Sequence, residues 1–197
     1  MTDGDISLSV PVILGSVRRD RVGIRAARLL MDALAARGHK PALVDPLLEQ
    51  LPLLDRMYKE HPKGQAPANL ERLAELYRSA DGFIVVSGEY NNGIPPALKN
   101  LLDHFLEEYF WRPSAIVCYS PSQFGGVRAA MQLRMTLAEL GMSSIPSIFP
   151  IPRITQALDA DGHPTEGWVE SRLARFLAEF FWYARAMRRE RDSGTPY

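Results

Sequence analysis

Residues 82–102 read Gly-Phe-Ile-Val-Val-Ser-Gly-Glu-Tyr-Asn-Asn-Gly-Ile-Pro-Pro-Ala-Leu-Lys-Asn-Leu-Leu, and this stretch decides the fold. Gly82–Ser87 is apolar and β-branched on successive positions, the pattern of a strand buried on both faces rather than one alternating between core and water. Gly88–Ile94 follows as a turn-rich loop. Pro95-Pro96 then opens a helix through Leu98, Leu101, Leu102, Phe105 and Leu106, where proline suits the first turn because its missing N–H is not needed there. A doubly buried strand, a loop and a helix form the repeating unit of a parallel sheet.

The same unit recurs on both sides. Val10–Leu14 is an apolar run ending at Gly15, and residues 21–37 carry Val22, Ala26, Leu29, Leu30, Ala33 and Leu34 at helical spacing. Pro41–Asp45 is a second strand. Residues 46–65 are irregular, with helical turns within 47–58, and a helix runs from Pro67 to Ser79. Ser114–Tyr119 is a fourth strand, Gly125–Leu140 a fourth helix and Ile145–Phe149 a fifth strand. Trp168–Arg188 closes the series with Val169, Leu173, Phe176, Leu177, Phe180, Ala184 and Met187 on one stripe. Five strands alternating with five helices predict an α/β fold: a three-layer α/β/α sandwich around a five-stranded parallel sheet. Pro11 conflicts with a central first strand, because it offers no ladder donor, and it is placed at that strand's edge.

The chain has 197 residues, 46% of them apolar and 23% charged, which suits a single globular domain over 1–197 with short frayed ends at 1–6 and 188–197. Lys+Arg and Asp+Glu balance at 23 each, so no global charge favours nucleic acid or an anionic membrane, and neither is expected as a partner. A lone cysteine, Cys118, excludes a disulfide framework. No apolar run approaches ~18 residues and the acidic start lacks signal-peptide character, so a cytoplasmic protein is expected.

Ligands of open parallel sheets bind at the carboxyl ends of the strands, near the point where strand order reverses. Three loops leave such ends. The first, Gly15-Ser16-Val17-Arg18-Arg19-Asp20-Arg21-Val22-Gly23, runs straight into a helix. Its hydroxyl, its arginines and the helix amides suit a phosphate, although a solvated basic turn has the same composition. The second, 88–96, offers the Tyr90 ring and the Asn91 amide; the third, 120–126, offers hydroxyls beside Gly125 and Gly126. Gly-x-x-x-x-Gly-Lys, Gly-x-Gly-x-x-Gly, Gly-x-Ser-x-Gly and His-Glu-x-x-His are all absent. His39, His61, His104 and His163 show no metal-ligand spacing. His104 is read as structural or interfacial, and Cys118 as an inert core thiol. The run 180–183 (Phe-Phe-Trp-Tyr) cannot all face one core, and Arg185, Arg188, Arg189 and Arg191 are read as a solvated helix end.

Taken together, Gly15-Ser16-x-Arg18-x-x-Arg21-Val22-Gly23, Glu89-Tyr90-Asn91-x-x-Ile94-Pro95-x-x-Leu98-Lys99-Asn100, and Ser120 with Gly125-Gly126-x-Arg128 resemble the NADPH-dependent FMN reductase family of flavodoxin-like proteins. The resemblance implies noncovalent FMN, reduced by NADPH or NADH and reoxidised by a small electrophile: a flavin, quinone, azo dye or metal oxyanion. It places the FMN phosphate at Ser16, Arg18, Arg21, Val22 and Gly23. It places the isoalloxazine beside Glu89, Tyr90 and Asn91, and the ring's pyrimidine edge at Ser120, Gln123, Phe124, Gly125 and Gly126. No catalytic side chain is assigned, because the flavin carries the chemistry. The first-loop arginines suit a 2′-phosphate and hence NADPH. A homodimer, or a dimer of dimers, is implied through the helix from Pro95 to Tyr109 with Phe110 and Trp111. Gly88 stands where the family usually has proline, and Arg21 and Gly23 stand where many members have serine. The rival class is an electron carrier or flavin-dependent regulatory module without nicotinamide turnover.

Overall fold

The computed structural model describes residues 6–197; the frayed head expected at 1–6 therefore lies, but for Ile6, outside the described residues. Five strands, β1 (Ser9–Leu14), β2 (Lys40–Val44), β3 (Phe83–Ser87), β4 (Pro113–Tyr119) and β5 (Ser143–Ile151), pair in parallel in the order β2-β1-β3-β4-β5. The helices are α1 (Gly23–Ala35), α2 (Pro46–Glu49), α3 (Ala68–Arg78), α4 (Pro96–Asp103), α5 (Val127–Glu139), α6 (Ile154–Ala157) and α7 (Gly167–Asp192). This is the flavodoxin-like strand order, and it reverses between β1 and β3.

Side chains alternate across the sheet. Val12, Leu14, Ile84, Val86, Val117 and Tyr119 join one apolar cluster with α1 and α7. Ile13, Phe83, Val85, Ile116 and Cys118 join a second with α3, α4 and α5. Both faces of the sheet are thus covered, which explains why the central strands β1, β3 and β4 are apolar but for one serine each. Among the described residues no helix is long and apolar enough to cross a membrane.

Pro11 lies inside β1, not at its edge. Ser9 O accepts from Asp81 N and Gly15 N donates to Val86 O, so the odd-numbered residues of β1 direct their backbone groups toward β3. The register with β3 opens only at Val12↔Ile84. The proline's missing donor therefore falls just before that ladder starts, while Pro11 still pairs with Ala42 of β2.

At the other edge, β5 is longer than expected because it bulges: Ser144 pairs with Ser114, but Ile148 pairs with Ile116. Arg134 donates to the carbonyls of Ile145 and Pro146, and Glu179 accepts from Ser147, so the bulged backbone is satisfied by side chains. Pro146 and Pro150 blunt this edge strand against pairing with another chain.

The chain end is more ordered than its polarity suggests. α7 continues to Asp192, and two arginines read as solvated converge on Asp81. Arg188 Nη1 lies 3.3 Å and Arg191 Nη2 3.4 Å from its carboxylate, which also accepts from Ser9 N at 2.8 Å. Asp81 is nearly buried, so this cluster clamps the last helix to the start of β1. We expect Asp81→Asn to lower unfolding free energy by about 1–2 kcal/mol, since charge-assisted bonds are lost while the amide still accepts from Ser9. Urea denaturation at neutral pH measures this, and unchanged stability would show that the arginines rest in solvent after all.

The helix expected from Pro95 to Tyr109 stops at Asp103, with a 3₁₀ turn at Glu107–Tyr109. Leu98, Leu101, Leu102, Phe105 and Tyr109 are all buried within the protomer. Its apolar surplus is core, stacked with Tyr77 and Phe83, and is not a free face. Within 180–183, Phe180 and Phe181 are buried and Trp182 is exposed.

Candidate functional site

The three loops at the carboxyl ends of β1, β3 and β4 meet around one side chain, Tyr119, the last residue of β4. A Cβ on Gly23 would lie 2.2 Å from the Tyr119 hydroxyl oxygen, and one on Gly88 would lie 3.2 Å from the same atom. The phenol is therefore wedged between the start of α1 and the start of the second loop, where only glycines leave it room. Burial pushes its hydroxyl up to about 12, against the smaller opposing pull of a hydrogen bond with Ser16, so it remains protonated at neutral pH.

In the first loop Ser16 is buried and its Oγ accepts from Arg18 N at 3.4 Å. Arg21 is turned inward. It donates to Ser16 O at 2.9 Å and grips the carboxylate of Asp45 with both terminal nitrogens, one bond being 2.5 Å. Asp45, at the end of β2, also caps α2 through Leu47 N at 3.0 Å. Arg21 thus laces the loop to β2, and its guanidinium is already neutralised. Arg18 and Arg19 are exposed, with no side-chain partner among the described residues. Val22 occupies the N-cap position of α1 with no side-chain cap, and the first turn contains no acid. An amphipathic helix of 13 residues thus begins with unpaired amides beside two free guanidiniums.

In the second loop Tyr90 N donates to Gly93 O at 3.0 Å and Gly93 N to Tyr90 O at 2.8 Å. Asn91 and Asn92 between them have φ of 49° and 66°. Two central residues with positive φ make a type I′ turn, and asparagine tolerates that region better than other side chains. The turn fixes Tyr90, half-buried, and leaves Asn91 exposed at the tip. Glu89 points elsewhere: its Oε2 accepts from Arg128 N at 2.9 Å and Ala129 N at 3.1 Å, capping the first turn of α5. Its carboxylate ties the second loop to the third.

The third loop is held from within. Ser120 Oγ donates to Ser122 O at 3.0 Å and accepts from Gly125 N at 3.0 Å. Gly125 and Gly126 have φ of 63° and 78°, and a Cβ on Gly126 would sit 2.7 Å from Tyr119 O, so the turn admits glycine alone. Phe124 is half-exposed with the Arg128 guanidinium 4.5 Å above its ring, and Gln123 is exposed beside Arg153. Burial raises Cys118 to about 12, which keeps the thiol protonated and inert. His104 is buried and its Nδ1 bonds Asn100 O at 2.8 Å, a structural placement.

Every residue expected at the site lies on one of these three loops, but they divide by what they face. Arg18, Tyr90, Asn91, Gln123 and Phe124 present free groups; Ser16, Arg21, Glu89 and Ser120 are engaged by the protein itself; Val22, Gly23, Gly125 and Gly126 set backbone. Tyr119 and Asp45 were not singled out from sequence. Asp45 had a local signal, a carboxylate at the end of a strand. Tyr119 had none, because its partners Gly23 and Gly88 are far away in the chain.

Residues 8–156 match the model of the NADPH-dependent FMN reductase family. The quinone reductase of Escherichia coli strain K12 is 33% identical over 137 residues, which cover 68% of this chain and 71% of that one. An NAD(P)H-dependent FMN reductase of a Nectria species is 31% identical over 143 residues, covering 65% and 66%. In structure, the flavoenzyme NAD(P)H:acceptor oxidoreductase FerB of Paracoccus denitrificans superposes with a TM-score of 0.72 at 21% identity, covering 91% of this chain and 98% of that one. With the strand order, the three loops and these relatives in agreement, the chain belongs to the NADPH-dependent FMN reductase family.

Proposed function

We propose that this protein is an FMN-dependent oxidoreductase that uses NADPH or NADH to reduce a flavin, a quinone or another small electrophile, such as an azo dye or metal oxyanion. The observation that carries the reading is the start of α1: uncapped amides, a buried serine and two unengaged arginines at the switch point of the sheet. This donor set fits a phosphate dianion. The loops of β3 and β4 fit a flat, polar-edged ring, with Tyr90 beside it and the Gly125–Gly126 turn admitting backbone approach. When bound, FMN supplies the two-electron relay between nicotinamide and acceptor.

The residues then take distinct roles. Ser16 and Arg18 hold the phosphate, with Arg19 added by its exposure, and the amides after Val22 complete the cradle. Arg21, through Asp45, keeps that loop in shape, and Gly23 leaves room for Tyr119. Tyr90, Asn91, Gln123, Phe124 and the Gly125–Gly126 backbone border the ring, while Glu89 and Ser120 hold their loops in place. A cytoplasmic setting belongs to the same reading, since the nicotinamide donor must be at hand.

Purified protein should be yellow, and NADPH or NADH should bleach the flavin band within seconds under anaerobic conditions. Failure of both nucleotides, with reduction only by a partner protein, would replace the enzyme with an electron carrier. A colourless protein that takes up no FMN would remove the site as well.

Self-association is also part of the proposal, through a different surface from the α4 apolar face. Leu48 and Leu53 are 77% and 86% exposed on the segment after β2. That segment is pinned to α4 by Asn100, which accepts from Leu54 N at 2.9 Å and donates to Pro52 O at 2.8 Å. Two leucines this exposed on a tethered segment support an apolar contact with a second copy there. Light scattering at micromolar concentration should give a dimer, or a dimer of dimers, and Leu48→Glu with Leu53→Glu should give monomer. A monomeric wild type would end this claim.

A further inference from the structure

Beyond the three loops lies a separate cavity of about 290 Å³, where the end of β5 and α6 face the start of α7. It adjoins the third loop through Gln123, and Arg153, Gln156, Glu166, Trp168 and Arg172 line the rest. Its volume is at the small end for a ligand site, enough for part of a dinucleotide and not for a whole one.

Three observations point to what it takes. Arg153 has φ of +44°, a left-handed conformation that costs a non-glycine residue about 1–2 kcal/mol. Its backbone is fixed there, donating to Ser122 O at 3.0 Å and accepting from Gln156 N at 2.7 Å, while its guanidinium has no partner among the described residues. Arg172 stacks over the Trp168 ring at 5.0 Å, and that ring is its one partner among the described residues. The wall is also stiff: Arg25 and Arg28 of α1 each donate at 2.9 Å to the segment between α6 and α7, at Leu158 O and Ala160 O.

Two guanidiniums against one carboxylate, Glu166, favour an anion. Trp168 packs against the core and carries the Arg172 guanidinium over its ring, so a purine stacks on that planar cation, and the amides of Gln123 and Gln156 can meet a base edge or a ribose. We propose that this cavity binds the adenosine 2′-phosphate portion of NADPH, with Arg153 on the phosphate and the adenine on the Arg172–Trp168 stack. The assignment rests on the oxidoreductase reading above. It also moves selection of NADPH away from the first-loop arginines, which serve FMN.

The test uses adenosine 2′,5′-bisphosphate and adenosine 5′-monophosphate as probes in titration calorimetry, on wild type, Arg153→Gly and Arg172→Ala. Wild type should bind the bisphosphate about tenfold or more tightly than the monophosphate; Arg153→Gly should lose about tenfold toward the bisphosphate alone, and Arg172→Ala should weaken both probes alike. Arg153→Gly should melt no lower than wild type, because glycine adopts the same φ without strain, so lost affinity cannot be blamed on misfolding. In turnover, Arg153→Gly should raise KM for NADPH while KM for NADH, kcat and FMN affinity stay unchanged, and Arg172→Ala should raise KM for both nucleotides. Bisphosphate that does not bind, that binds no better than the monophosphate, or that binds wild type and Arg153→Gly alike would overturn the proposal, as would an equal rise in KM for both nucleotides in Arg153→Gly. Absence of flavin bleaching in wild type would instead strike the oxidoreductase reading, since the calorimetry needs no turnover.

Discussion

Gly23→Ala should lower the stability of the protein by about 3 kcal/mol, the upper end of the cost of overpacking a buried site. It should also weaken FMN by about tenfold or more, because the misplaced group belongs to the proposed phosphate cradle. The added Cβ would lie 2.2 Å from the Tyr119 hydroxyl oxygen and 2.4 Å from its Cζ. The ring has little room to withdraw, since the side chain is almost wholly buried and Gly88 lies so close on another side that a Cβ there would stand 3.2 Å from the same two atoms. The first turn of α1 must move instead, taking with it the amides beside Ser16. The partner substitution separates this account from a general intolerance of alanine at the helix start. Tyr119→Leu removes both the oxygen and Cζ, so Gly23→Ala with Tyr119→Leu should regain much of the stability lost on adding the methyl. Tyr119→Phe should not rescue, because Cζ stays in place. Urea denaturation and FMN titration on the four proteins read the coupling, and strict additivity of the two changes would refute it.

The same contact shows what could be read from the chain and what could not. The sheet was legible because strands buried on both faces read as near-continuous apolar runs, and Phe83–Ser87 and Pro113–Tyr119 do so but for one buried serine each, Ser87 and Ser114. The three loops were legible because they carry residues in a family's order and spacing. Local signals did not reveal which side chains the fold had already engaged. Arg18 and Arg21 look alike in sequence, yet Asp45, 24 residues further on, claims one and leaves the other free. Glu89 reads as a ring contact, and nothing near it in sequence shows that its carboxylate caps a helix that begins 38 positions later, at Val127. Pro11 was misplaced for a related reason: its cost depends on which neighbour its missing N–H would face, and that is a property of register. Gly88, in the place of the family's usual proline, becomes intelligible only beside Tyr119, whose ring fills the space that a larger residue would need.

That division between free and engaged arginines yields the sharpest test of the phosphate site. Arg18→Ala should weaken FMN by about 1.5–3 kcal/mol, or roughly ten- to a hundredfold, because a charge-assisted bond to the phosphate is lost. Stability should hardly change, since the Arg18 side chain is exposed and touches no protein partner among the described residues. Riboflavin presents the same ring without the phosphate, so its affinity should not respond. Ser16→Ala should act in the same direction with a smaller loss, as one neutral donor goes and the helix amides remain. Arg21→Ala should behave differently: it strands the nearly buried carboxylate of Asp45 and frees the loop, so unfolding should become easier and FMN should weaken with it. Titrations of both flavins at one salt concentration, beside urea denaturation of each variant, distinguish the three roles. Equal losses of FMN and riboflavin in Arg18→Ala would mean that this arginine supports the loop and that the phosphate lies elsewhere. A selective loss of FMN there, with lowered stability confined to Arg21→Ala, would assign ligand binding to the arginine that the fold leaves free and loop support to the one it has neutralised.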